Sequence, residues 1–156
     1  MAVTPDLQDL TDRAALIDLV GCYAHTVDAR DVEGIVACFT VDTHVEFDGG
    51  AEVVDGKKAL RAFFDGALRR PIMGSTGVST HLLSNVLVTL DGDRAHVETH
   101  AVAYLASDQR ETIVVRGLRY SDDCERRDGR WLVRHRIHRS VWQGEMPGRP
   151  QPANSS

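Results

Sequence analysis

Disulfide and thiolate-metal chemistry have little to work with in this sequence. Only three of its 156 residues are cysteine, and Cys22, Cys38 and Cys124 are widely spaced with no Cys-x-x-Cys pair. Neither a disulfide scaffold nor a zinc-thiolate site is written into the chain, and a reducing cytoplasm is the expected setting. Long apolar runs are missing as well. No stretch approaches the ~18 residues of a membrane span, and the first dozen residues lack the basic-then-apolar order of an export leader. Surplus positive charge is absent: 18 Lys and Arg stand against 23 Asp and Glu, a formal charge of −5. Such a chain has no field for holding a polyanion, so neither nucleic acid nor a membrane is expected as a partner. There are no internal repeats or low-complexity blocks, no Gly-rich phosphate loop, no Gly-x-Ser-x-Gly elbow and no Cys/His nucleophile pattern.

What is present is the composition of an average folded domain, 42 % hydrophobic and 26 % charged, in a length that suits one core. Residues 1–145 are expected to form that domain, and the Pro-rich, polar stretch from Met146 to Ser156 a mobile tail. From Leu7 to Val27 the apolar residues Leu7, Leu10, Ala14, Ile17, Val20, Ala24 and Val27 step by three or four, which predicts a helix capped by Thr11 or Asp12. Asp31 can cap a second helix from Val32 to about Phe39. His44 to Phe47 and Glu52 to Val54 read as short strands about a Gly49-Gly50 turn, and Lys57 to Leu68 as a third helix that Pro71 ends at the latest. Four longer strands follow, Thr80–Leu90, Ala95–Ala106, Glu111–Glu125 and Trp131–Trp142. Asp91-Gly92 and Asp128-Gly129 are hairpin signals between them. Helices first and then a strand meander is an α+β pattern, a cone-like curved antiparallel sheet wrapped around the opening helices.

Function then depends on what lines the cone. Asp28 continues the stripe Ile17, Gly21, Ala24 and so points where the core does, which costs several kcal/mol unless the carboxylate is paired or hydrogen-bonded. It can simply bond loop amides at the helix end. Alternatively it can hold a histidine, and His81, at the start of a strand after the Gly74–Thr80 loop, is the best placed of seven. A His with one nitrogen fixed by a carboxylate suits a general base. His96, Glu98 and His100 share one strand face. Successive positions on that face lie about 7 Å apart, too far for the outer two to share one ion, so no metal is expected there. The charged run Glu125–Arg130 reads as a solvated hairpin tip, and Arg134, Arg136 and His138 as one face of the last strand.

Several motifs together resemble the cone-shaped superfamily typified by nuclear transport factor 2, and within it the SnoaL-like branch, which includes scytalone dehydratase, hexachlorocyclohexane dehydrochlorinase and polyketide cyclases. They are Asp12-Arg13-Ala14-Ala15-Leu16-Ile17-Asp18-Leu19, Val27-Asp28-Ala29-Arg30-Asp31, Phe39-Thr40-Val41-Asp42, Thr80-His81-Leu82, and above all the run from Tyr120 to Trp131. The resemblance covers about Leu10 to Trp142. It implies that Asp28 is the acid and His81 the base of a His/Asp dyad, and that Arg136 matches the arginine of the dehydrochlorinase's final strand. In these relatives the His takes a proton from carbon without metal or organic cofactor. This chain departs from them where a lysine that assists chloride departure is Tyr23, where a pocket tryptophan is Val45, and where the second histidine of scytalone dehydratase finds none in Val115–Gly117.

The resulting expectation is a cofactor-independent lyase or dehydratase, or an isomerase or cyclase. It would act on a small, mostly hydrophobic molecule of polyketide, aromatic or steroid type, with Asp28, His81 and Arg136 catalytic. Tyr23, Val45, Phe47, Phe64, Ala101, Ala103 and Tyr120 would line the substrate site, and no cofactor or metal is expected. The alternatives are a non-catalytic binding or assembly subunit of the same fold, or a reaction that uses Asp28 without His81. The long sheet leaves a face to cover, and the relatives imply a homotrimer, or else a dimer.

Overall fold

A computed structural model describes residues 6–69, 78–106 and 111–150. The elements run α1 (Leu7–Asp28), α2 (Val32–Ala37), β1 (Phe39–Phe47), β2 (Glu52–Asp55), α3 (Lys57–Ala67), β3 (Val78–Asp91), β4 (Arg94–Ala106), β5 (Thr112–Arg127) and β6 (Arg130–Pro147). The fold is α+β as expected, with the three helices against one face of a curved six-stranded sheet ordered β2-β1-β6-β5-β4-β3. Neighbours are antiparallel except β1 and β6, which run parallel. The last described strand in sequence order is therefore central. It also runs further than expected, so that Met146 and Pro147 pair with Ile113 and Thr112 instead of starting the tail. Pro71, most of the Gly74–Thr80 loop and the end of the tail lie outside the described residues.

Local chemistry explains most boundaries. Asp6, not Thr11 or Asp12, caps α1 by accepting from the Asp9 amide, and Asp31 caps α2 by accepting from Gly34. The two hairpin turns hold φ values that suit glycine, Gly92 at 59° and Gly129 at 74°.

The face of α1 differs from expectation in its first half. Asp12, Leu16, Val20, Tyr23, Ala24 and Val27 are buried, whereas Leu7, Leu10 and Ile17 are exposed. The reason is Asp12, whose carboxylate accepts from Gln8, from both terminal nitrogens of Arg126 and from the Trp131 indole. These bonds outweigh the apolar row and turn Asp12 inward. Arg126, expected at a solvated tip, thus clasps α1 to the β5–β6 hairpin.

Bulges set the curvature and change which side chains face inward. In β3 two residues, Asn85 (φ 49°) and Val86, oppose one on β4, so Ser79, His81 and Leu83 face the helices before the bulge and Val86, Val88 and Leu90 after it. In β6 the extra residues are Arg134, between Val133 and His135, and Val141, between Ser140 and Trp142. Arg134 therefore points out, exposed, and does not share a face with Arg136 and His138 as the uninterrupted alternation predicted.

Candidate functional site

Asp28 is the last residue of α1, and His81 sits four residues into β3, the strand against which α1 packs. The Asp28 carboxylate accepts three hydrogen bonds. His81 Nδ1 lies 2.6 Å from Oδ1, the Ser79 hydroxyl donates to the same oxygen at 2.8 Å, and the His81 backbone N–H donates to Oδ2 at 2.8 Å. Burial pushes the Asp28 carboxyl up, but the bonds from the His81 ring, the His81 backbone and Ser79 together outweigh it, and it stays below the ordinary carboxylate range. A carboxylate that remains ionised against Nδ1 selects the tautomer with the proton on Nδ1. Nε2 keeps its lone pair, has no hydrogen bond among the described residues, and His81 lines a cavity.

That cavity has a volume of about 200 Å³. Its apolar wall is Tyr23, Val27, Phe47, Phe63, Phe64, Ala67, Ala103, Leu105, Leu118 and Tyr120. Phe47 stacks on Phe63 at 4.3 Å, and Tyr23 meets Phe64 and Tyr120 edge to face. The cavity's polar end, beside Phe47 and Tyr120, is made by Arg116, His138, Asp48 and Glu52. Arg116 shares a cross-strand row with His81: Arg116 pairs with Ala103, and Ala103 with His81. Two strand spacings place their backbones about 10 Å apart, and the small Ala103 side chain leaves the space between them open. Arg116 donates to the Ser140 hydroxyl, with the Asp48 carboxylate 4.0 Å away. His138 is buried against Tyr120 and Phe47. Burial pushes its pKa down to about 4, so it is neutral at neutral pH.

The structure brings together Asp28, His81, Tyr23, Phe47, Phe64, Ala103 and Tyr120 of the expected site. Arg136, Val45 and Ala101 are elsewhere. Val45 and Ala101 are plain core, buried behind the cavity wall. Arg136 is fully buried opposite Asp122, with Nε and one terminal nitrogen each 2.7 Å from a carboxylate oxygen. Its guanidinium carbon lies 4.0 Å from the Tyr23 ring centre and 4.7 Å from that of Tyr120. It thus supports the two tyrosines from behind and does not line the cavity. Its other terminal nitrogen has no partner among the described residues, and the facing rings compensate in part. Sequence reasoning missed Arg116 as a site residue and gave His138 no role in the cavity. Alternation along β5 from the inward Tyr120 and Leu118 reaches Arg116, and was the available signal.

A family model described as a SnoaL-like domain matches residues 8–137. The chain belongs to the SnoaL-like domain family. This SnoaL-like domain is 24 % identical over 144 residues to the uncharacterised protein Rv2910c of Mycobacterium tuberculosis, covering 88 % of this chain and 91 % of that one. Among solved structures it is similar to Rv3472 of Mycobacterium tuberculosis, a protein of unknown function, at 29 % identity and a TM-score of 0.75 over 90 % of this chain and 78 % of the other. It also superposes on a type-3 hexachlorocyclohexane dehydrochlorinase of Novosphingobium barchaimii with a TM-score of 0.80, at 18 % identity, over 95 % and 99 % of the two chains. At that identity the likeness shows the shared fold, a cone in which the SnoaL-like domain encloses its cavity.

Proposed function

We propose that this SnoaL-like domain is a cofactor-independent enzyme that removes a proton from carbon, a lyase or an isomerase. The single observation that carries this is the Asp28–His81 pair at 2.6 Å, with the free Nε2 of His81 belonging to a mostly apolar cavity. An ordinary core histidine needs no such carboxylate, and an assembly subunit gains nothing from burying one. His81 takes the proton, and Asp28 holds the ring and stabilises the imidazolium that forms. Negative charge left on the substrate moves toward an oxygen at the polar end, where Arg116 and the neutral, hydrogen-bonding His138 meet it. Departure of a β-substituent then gives an alkene; return of the proton at another carbon gives an isomer.

The cavity is smaller than the ~300–1,000 Å³ of typical ligand sites. It suits a one- or two-ring substrate with one oxygen function better than a steroid. The dehydrochlorinase named above acts, by its name, on a substrate of comparable compactness. The test is a panel of β-hydroxy ketones, polyhalogenated cyclohexanes and β,γ-unsaturated ketones, assayed for product and for solvent deuterium uptake at carbon. Wild type is expected to turn over at least one of them. His81→Gln and Asp28→Asn should each lower kcat by about 10²- to 10⁴-fold, and Arg116→Met should lower it less while raising KM. Compounds that bind without proton exchange, equally well in both dyad variants, would show a binding module instead.

A further inference from the structure

On the opposite face of the sheet from the cavity, the parallel pairing of β1 and β6 sets His44 directly beside His135, with Glu46 two residues along β1 on the same face. One ligand atom from each of the three falls within 4.8 Å of the others. Glu46 Oε1 is 3.1 Å from His135 Nε2 and 3.7 Å from His44 Nε2. Bonds of about 2.0–2.2 Å to a tetrahedral ion place neighbouring ligand atoms about 3.3 Å apart, so the trio is already close to that spacing. The far side of each ring is turned to a carboxylate, His44 Nδ1 to Asp55 at 2.6 Å and His135 Nδ1 to Asp123 at 3.5 Å. A carboxylate behind each imidazole directs the Nε2 lone pair forward, the arrangement that metal-bound histidines use.

We propose that His44, Glu46 and His135 form a binding site for a divalent transition-metal ion, zinc foremost. Two imidazoles and one carboxylate suit zinc, cobalt or nickel, and offer too few oxygens for calcium or magnesium. The side chains are partly exposed, at 42 %, 28 % and 28 % respectively, so an ion can enter and find a fourth position open to water. The site differs from the single-strand trio His96, Glu98 and His100, because its ligands come from two strands about 4.8 Å apart. There His96 is instead held by Asp123 and Glu98 at 2.7 and 2.8 Å, with both ring nitrogens occupied.

The full chain, stripped with a chelator, would be titrated with Zn²⁺ by calorimetry and with Co²⁺ by its visible absorption. The expected result is one ion per chain, with four- or five-coordinate Co²⁺ bands. Affinity should fall at least ~100-fold in His44→Gln and His135→Gln, and by about 10–100-fold in Asp55→Asn, where only the supporting carboxylate changes. His96→Gln and His81→Gln should bind as wild type, which separates this site from its neighbour and from the cavity. Unchanged circular dichroism in the metal-free variants shows that they fold. No ion taken up by wild type, or binding that survives loss of either His44 or His135, would overturn the proposal.

Discussion

Three buried or half-buried polar side chains facing the same interior are held in three different ways by what surrounds them. Asp28 stays ionised because His81 and Ser79 bond it. Asp122 gives both its oxygens to Arg136. His138 is neutral because burial against Phe47 and Tyr120 disfavours its cation. Removing one member of the fully buried Asp122–Arg136 pair leaves an uncompensated charge, so Asp122→Ala should lower unfolding free energy by about 3–5 kcal/mol in urea titrations. His138 gives a pH signature. The unfolded chain protonates it below 6.5 and the folded chain only below about 4. Across that window the unfolded state binds more protons, and stability falls as pH falls. His138→Gln should flatten the stability curve between those two values, and an unchanged slope would show that the burial of His138 does not govern its titration.

Elements rest on turn and bulge chemistry more than on propensity. The β5–β6 hairpin turns through Asp128 at φ 51° and Gly129 at φ 74°, the two left-handed residues of a tight two-residue loop. Gly129→Ala should cost about 1 kcal/mol or more, measured by denaturant midpoint, without changing the cavity. Most helices and strands were legible in the sequence because their periods and caps are local. The dyad was legible as well, since Asp28 ends a periodic stripe and the resemblance supplied His81. What could not be read was parity. One extra residue at Arg134 and another at Asn85–Val86 exchange the inward and outward faces of β6 and β3, and local alternation carries no mark of where that happens. Arg136 was credited with a catalytic place by the resemblance; it does face inward, but its pairing with Asp122 beneath the two tyrosines is a cross-strand contact that local sequence does not mark. The His44–His135 pairing was invisible because it joins residues 91 apart in sequence, as the Thr43–Arg134 hydrogen bond beside it does.

At the scale of the whole molecule, Asp12 joins the parts. Three of its four hydrogen bonds, two from Arg126 and one from Trp131, tie α1 to the β5–β6 hairpin, and Arg126 reaches on from there to Asp93 in the β3–β4 turn at 2.8 Å. The Arg126 guanidinium holds the Asp12 carboxyl down at about 2, against an ordinary 3.8. The contribution is complete above 3.8 and is lost as pH falls toward 2, a window separate from that of His138. Wild type should therefore lose stability in two acid steps, seen as thermal midpoints against pH; Asp12→Asn should shrink the lower one, which Asp42, held down to about 2 by Arg127, shares.

The central place of β6 also has a temporal meaning. Synthesis delivers β1 and β2 early and the β3–β5 meander next, yet β1 and β5 are joined only through β6, which emerges last. Until then the sheet is in two pieces, each with an unpaired strand edge that invites association with other chains. Closing the sheet brings together segments some 90 residues apart, as the hydrogen bond from Thr43 to Arg134 records, a long loop to close and a slow one. The cavity, which takes Phe47 from one piece, His81 from the other and His138 from β6 itself, is completed only when β6 joins the sheet.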